Sequence, residues 1–178
     1  MNREKLEKSN SNKRRQLIRK LKKDKENIDV EIKNISVMRC LYKNNNDFVY
    51  FDLQPGESTM IGLDDIYEIA HKCKGFFKNY EIIITDVYSD DYTLDDILLY
   101  LNLQNIYENI PNKDEDCIEE LVYEADIDDF KNQLEDNREL CKAVAQEMLV
   151  AFKSEDYYDK KKIQYICEKL KIRDLFAE

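Results

Sequence analysis

The sequence predicts an α+β protein in three parts: a basic arm over residues 1–27, a small β-sandwich-like module with one helix over 28–88, and an all-helical C-terminal bundle over 89–178. Apolar residues alternate with period two from Ile28 onward, and the period changes to 3.6 after Ser89. Only three glycines and two prolines occur in 178 residues, so tight turns are few and helices should outweigh strands. Charge is divided just as sharply. Residues 1–27 hold eleven Lys or Arg against four acids, whereas residues 28–178 hold seventeen against thirty-four. The net charge of −10 is therefore a leader of +7 on a body of −17.

After Met1 the arm has only Leu6, Leu17, Ile18 and Leu21 as aliphatic side chains. That is too little apolar surface to order a chain, so a solvated tail is expected, with at most a frayed helix from Lys13 to Glu26. Its bases Lys13, Arg14, Arg15, Arg19, Lys20, Lys22 and Lys23 are the candidate contact for a polyanion or an acidic partner. No aromatic residue is interleaved with them, which argues against a base-stacking surface.

Ile28, Val30 and Ile32 alternate with Asp29, Glu31 and Lys33, the pattern of a strand with one buried face. Asn34-Ile35-Ser36 bends it before Val37 to Leu41. Phe48 to Leu53 and Ser58 to Ile61 read as the arms of a hairpin, the element around which the module is organised. Pro55 presets φ at the first central turn position, and Gly56 supplies the positive φ of a type II turn at the second. A helix follows, with Asp65-x-x-Glu68 as a capping box and Gly75 as its stop. Glu81 to Val87 reads as a strand buried on both faces.

Thr93-x-x-Asp96 opens the first helix of the bundle, carrying Leu94, Ile97, Leu98 and Leu101. Further stripes run through Cys117 to Ala125 and through Ile127, Phe130 and Leu134. Asp136 is placed to cap the clearest helix, whose inner face is Leu140, Cys141, Val144, Ala145, Met148, Leu149 and Phe152. Ile163, Ile166, Cys167 and Leu170 mark the last. Short breaks between helices favour antiparallel neighbours.

Reactive chemistry is thinly represented. His71 is the only histidine, and the five cysteines, Cys40, Cys73, Cys117, Cys141 and Cys167, are widely spaced without a Cys-x-x-Cys. A zinc site would have to draw ligands from distant elements, so no metal or cofactor is expected, and a reducing compartment suits the odd count of thiols. Aspartate pairs stand at 64–65, 90–91, 95–96 and 128–129; two of them fall at helix starts, where carboxylates complement the dipole. No phosphate-cradling glycine loop or nucleophile elbow occurs. Enzymatic function is not expected. Between Asp86 and Asp136 seventeen acids face only Lys113 and Lys131, a surface able to receive a basic arm. Of the twelve tyrosines, Tyr88, Tyr92, Tyr100 and Tyr107 flank helices and are the candidate subunit contacts, with Tyr157 and Tyr158 in like positions. No apolar run is long enough to cross a bilayer, and the basic N-terminus lacks a signal peptide's apolar core.

The order of these parts resembles that in structural proteins of tailed-bacteriophage virions. Val30-Glu31-Ile32-Lys33-Asn34-Ile35-Ser36, then Phe51-Asp52-Leu53-Gln54-Pro55-Gly56-Glu57, then the Asp64 to Phe77 helix is similar to small β-modules of that group. Tyr92-Thr93-Leu94-Asp95-Asp96-Ile97-Leu98-Leu99 and the closing Lys160 to Ile172 helix resemble the segments that follow. The basic arm is not part of the pattern, and the glycine usual near the closing helix is missing. The resemblance implies a non-catalytic head-to-tail connector or tail ring protein of the crAss-like phage type, a cyclic homo-oligomer assembled in the host cytoplasm beside portal, tail or adjacent ring proteins. The arm would then meet an acidic neighbour or packaged DNA. The alternative is a small acidic phage-encoded inhibitor of a host protein.

Overall fold

The computed structural model describes residues 2–43, 46, 48–108, 110, 116–154 and 159–172, with side chains from residue 12 onward. It is a mixed α+β fold with two small antiparallel sheets and a predominantly helical C-terminal half. Helix α1 (Asn2–Asp24) leads through a 3-10 turn (Lys25–Asn27) into β1 (Asp29–Asn34). Then come β2 (Cys40–Lys43), β3 (Val49–Leu53), β4 (Ser58–Gly62), α2 (Leu63–Lys72), α3 (Gly75–Lys78) and β5 (Ile82–Tyr88). The second half holds α4 (Leu94–Leu101), α5 (Gln104–Tyr107), α6 (Cys117–Tyr123), α7 (Ile127–Leu134), α8 (Arg138–Lys153) and α9 (Lys160–Leu170).

The alternation in β1 is real: Val30, Ile32 and Asn34 are buried, and the residues between them are not. This strand is the centre of a three-stranded sheet in the order β4-β1-β5, with both neighbours antiparallel. The other sheet is the pair β2-β3. The expected β3–β4 hairpin is thus not formed. Gln54 to Glu57 do make a tight turn, with Gly56 at φ +76° and the Glu57 amide donating to the Gln54 carbonyl at 3.1 Å. That turn carries the chain from one sheet to the other.

Asn34 determines this outcome. Its amide donates to the Glu57 carbonyl and its carbonyl accepts from the Gly56 amide, both at 2.9 Å. Its buried carboxamide donates to the carbonyls of Met38 at 2.8 Å and Leu53 at 3.1 Å, and accepts from the Ser36 amide and hydroxyl at 2.9 Å. One fully satisfied polar side chain therefore fixes the bend after β1 and ties it to the end of β3.

Several helix boundaries differ from the sequence expectation. Helix α2 starts at Leu63 with Gly62 as N-cap, so Asp65-x-x-Glu68 is not a capping box; it ends at Lys72, and Gly75 opens α3 instead of stopping α2. The Thr93–Asp96 capping box is present. Helix α8 is capped by Asn137, whose side chain accepts from the Leu140 amide, and not by Asp136. A continuous core runs through both halves, from Val30, Ile32 and Ile84 to Phe130, Val144, Met148 and Ile166.

The arm departs most from expectation. It is helical from Asn2 to Asp24, and it is docked at its C-terminal end. Leu21 is fully buried, with Leu17 and Ile18 packed beside it. Leu21, fully buried, contributes about 2 kcal/mol, and the half-buried Leu17 and Ile18 add to it. Asp24 adds a polar anchor, accepting a hydrogen bond from the Tyr92 hydroxyl at 2.6 Å.

Candidate functional site

Helical geometry sorts the side chains of α1. Leu17, Ile18 and Leu21 form the inner stripe, while Arg15, Arg19, Lys22 and Lys23 recur at i, i+4, i+7 and i+8 on the outer one. Lys13 and Lys20 flank that outer stripe. Arg14 lies in line with the inner residues, yet it is exposed, as is every residue from Asn12 to Gln16. The body therefore ends beneath Leu17, and the helix runs on beyond it. All seven predicted bases are exposed and lie along one rod. Like charges at i, i+4 such as Arg15–Arg19 and Arg19–Lys23 repel, and anions brought alongside relieve that repulsion.

The Tyr92–Asp24 bond fixes where this rod leaves the body. Donating to a carboxylate pushes the Tyr92 phenol up to about 12, with burial adding to the effect. Tyr92 is 7% exposed, Tyr100 8% and Tyr107 2%, so these three predicted subunit contacts are core residues. Tyr100 stacks obliquely on Tyr67 with centroids 5.1 Å apart. Tyr107 bonds through its hydroxyl to the Ile84 amide, and it donates to the Ile84 carbonyl at 3.3 Å. It thereby covers the outer edge of β5, a position open to strand addition otherwise. Tyr88, at 46% exposure, stays on the surface at the end of that strand. Tyr157 and Tyr158 lie outside the described residues.

Opposite in charge to α1 is a groove of about 340 Å³ between the bend after β1, the Pro55–Gly56 turn and helices α6 and α8. Ile35, Val37, Ile118 and Val150 give it apolar walls, and Lys33 reaches Asp116 at its rim at 3.4 Å. Glu119 and Glu147 line it from the two helices, and neither makes a hydrogen bond or ion pair among the described residues. Burial, with the neighbouring Glu119, pushes the Glu147 carboxyl up. A second depression, of about 430 Å³, lies over α6 and α7 and is lined by Glu120, Glu124 and Asp129.

Other chemistry-bearing residues are structurally committed. His71 is exposed, stacks on Tyr67 at 4.1 Å and bonds to its carbonyl at 2.9 Å. Cys40, Cys117 and Cys141 are buried thiols, and Cys73 and Cys167 are half-buried. The 64–65, 95–96 and 128–129 acid pairs all sit in first helical turns, one more than the sequence suggested. Among the described residues no three His, Cys, Asp or Glu are grouped to hold a metal ion, and no helix is long and apolar enough to cross a membrane. Sequence reasoning missed Lys162, which is buried and donates to the Leu121 and Val122 carbonyls at 3.0 and 2.7 Å, 5.2 Å from the Phe130 ring. It locks α9 to the end of α6, and its signal was its i, i+4 spacing from Ile166. Comparison with known proteins gives no match to a family model, a curated protein or a solved structure.

Proposed function

We propose that this protein is a non-catalytic structural component of a bacteriophage virion that forms a ring in the head-to-tail connector or tail through heterologous contacts between copies. The observation that carries the reading is the placement of α1: a rod of exposed bases, anchored by Leu21 and Asp24, that runs past the edge of a strongly acidic body. Such an element has a positive surface to offer and an apolar foot to hold its direction, which is what reaching across a subunit boundary requires. The resemblance of the Val30 to Ser36 and Phe51 to Glu57 segments to virion modules supplies the phage setting. In the fold these two segments are hydrogen-bonded to one another through Asn34, so they form one structural unit. The ring would use the α1 bases and Tyr88 as contacts, beside portal, tail or adjacent ring proteins, with assembly in the host cytoplasm.

The test is the protein composition of purified particles together with affinity capture from infected cells. The reading expects a fixed, integral copy number per particle and co-purification with portal or tail proteins. Absence from particles, with capture of a single host protein by a monomer, would support the inhibitor role instead.

A further inference from the structure

We infer that the α1 rod of one copy docks on the Glu119–Glu147 groove of the next copy. The inference rests on the assembly reading above and names its mating surfaces. Three features favour a second copy over a nucleic acid as the occupant. The chain itself carries both halves of a complementary pair, a positive helix face and a groove lined by two carboxylates that pair with nothing among the described residues. The groove is also lined by Ile35, Val37, Ile118 and Val150; these walls suit the aliphatic stems of Arg and Lys, which lay methylenes along apolar surface while the head reaches a carboxylate. A phosphate backbone would offer the stems nothing comparable. Finally, no interleaved aromatic equips α1 for bases.

Passed on from copy to copy, this contact is head-to-tail and closes into a ring or runs on as a fibre; exchanged reciprocally between two copies, it closes a two-fold dimer. Arg15, Arg19 and Lys22, at i, i+4 and i+7, present three cationic groups on one face, and Glu119 and Glu147 receive two of them. Neutralising the carboxylates also removes the penalty of holding Glu147 ionised in a half-buried site beside Glu119.

Three full-length variants and the wild type test this by analytical ultracentrifugation at low salt. The helix-reversed variant carries Arg15→Glu, Arg19→Glu and Lys22→Glu; the groove-reversed variant carries Glu119→Lys and Glu147→Lys. A control carries Glu124→Lys and Glu135→Lys, the same charge change as the groove variant at the C-caps of α6 and α7, where cations suit the helix dipole. Circular dichroism checks folding of each. The expected result is assembly by wild type and control, and at least about a tenfold weaker association for each reversed variant alone. An equimolar mixture of the two reversed variants should regain assembly, because each then meets a groove of the opposite sign on the other chain. Should the groove-reversed variant assemble like wild type, the groove is not the acceptor, and the assembly reading stands. Should the helix-reversed variant still assemble but lose binding to a short duplex DNA, the partner of α1 is nucleic acid and the inference falls. A wild type that never assembles removes both.

Discussion

At Asn34 and Glu147 single side chains show how this fold treats buried polarity in opposite ways. The Asn34 carboxamide is fully buried with its donors and acceptor all satisfied, so it orients two sheets at little cost. Glu147 is half-buried with no partner among the described residues, and its carboxyl is raised by burial and by Glu119. A raised folded-state value means that the group favours the fold fully below the ordinary value of 4.5, and that this contribution is lost as pH rises through the folded one. At pH 7 the ionised group is therefore a burden. Glu147→Gln should raise Tm by about 1–3 °C at pH 7 in high salt, where electrostatic contacts with other molecules are screened, and the gain should vanish below about pH 4. Scanning calorimetry at the two pH values checks it, and an unchanged or lowered Tm at pH 7 contradicts it. The bases of α1 were legible from composition alone. The two groove carboxylates were not, because they come from separate helices and carry no local pattern. Tyr92, Tyr100 and Tyr107 were misread for a related reason: a Tyr flanking a helix has the same sequence signature whether its ring faces a neighbour or, like Tyr107, the core.

Among the elements, α1 matters most because its direction rests on very few contacts. Its inner stripe is Leu17, Ile18 and Leu21, followed by the Asp24–Tyr92 bond. Leu21→Ala should destabilise the protein by about 2–4 kcal/mol and free the helix, whereas Tyr92→Phe should cost about 1 kcal/mol. The Tyr92 phenol is raised to about 12 from an ordinary 10. Its contribution is thus complete below pH 10 and lost as pH rises through 12, so wild type and Tyr92→Phe should converge in stability across that interval. Urea denaturation at pH 8 and near pH 12 measures both, and equal stability at pH 8 refutes the anchor. Strand β1 and helices α4 and α6 to α9 were legible because their stripes are long enough to fix a period. Helices α3 and α5 are single turns of four residues, too short for periodicity to register. The β3–β4 hairpin was misassigned because Pro55-Gly56 specifies only a local reversal, while strand partners follow from the Asn34 tie. The arm was read as at most a frayed helix from Lys13 to Glu26, and its docking escaped notice, since docking needed only one cluster of aliphatics and not a continuous stripe.

Across the whole molecule, charge is the organising variable. A cationic helix stands on one side of a body that carries thirty-four acids against seventeen bases, and the chain's own groove offers the helix a complementary surface on another copy. Electrostatic contacts of this kind weaken as the Debye length shrinks from about 10 Å at 0.1 M salt to about 3 Å at 1 M. The claim that the protein works by fitting against further copies is therefore tested most directly by sedimentation of the full chain across a salt series. The account predicts a closed assembly at low salt that dissociates reversibly to the 21.3 kDa chain as salt rises. A 21.3 kDa species at every salt and protein concentration would contradict it.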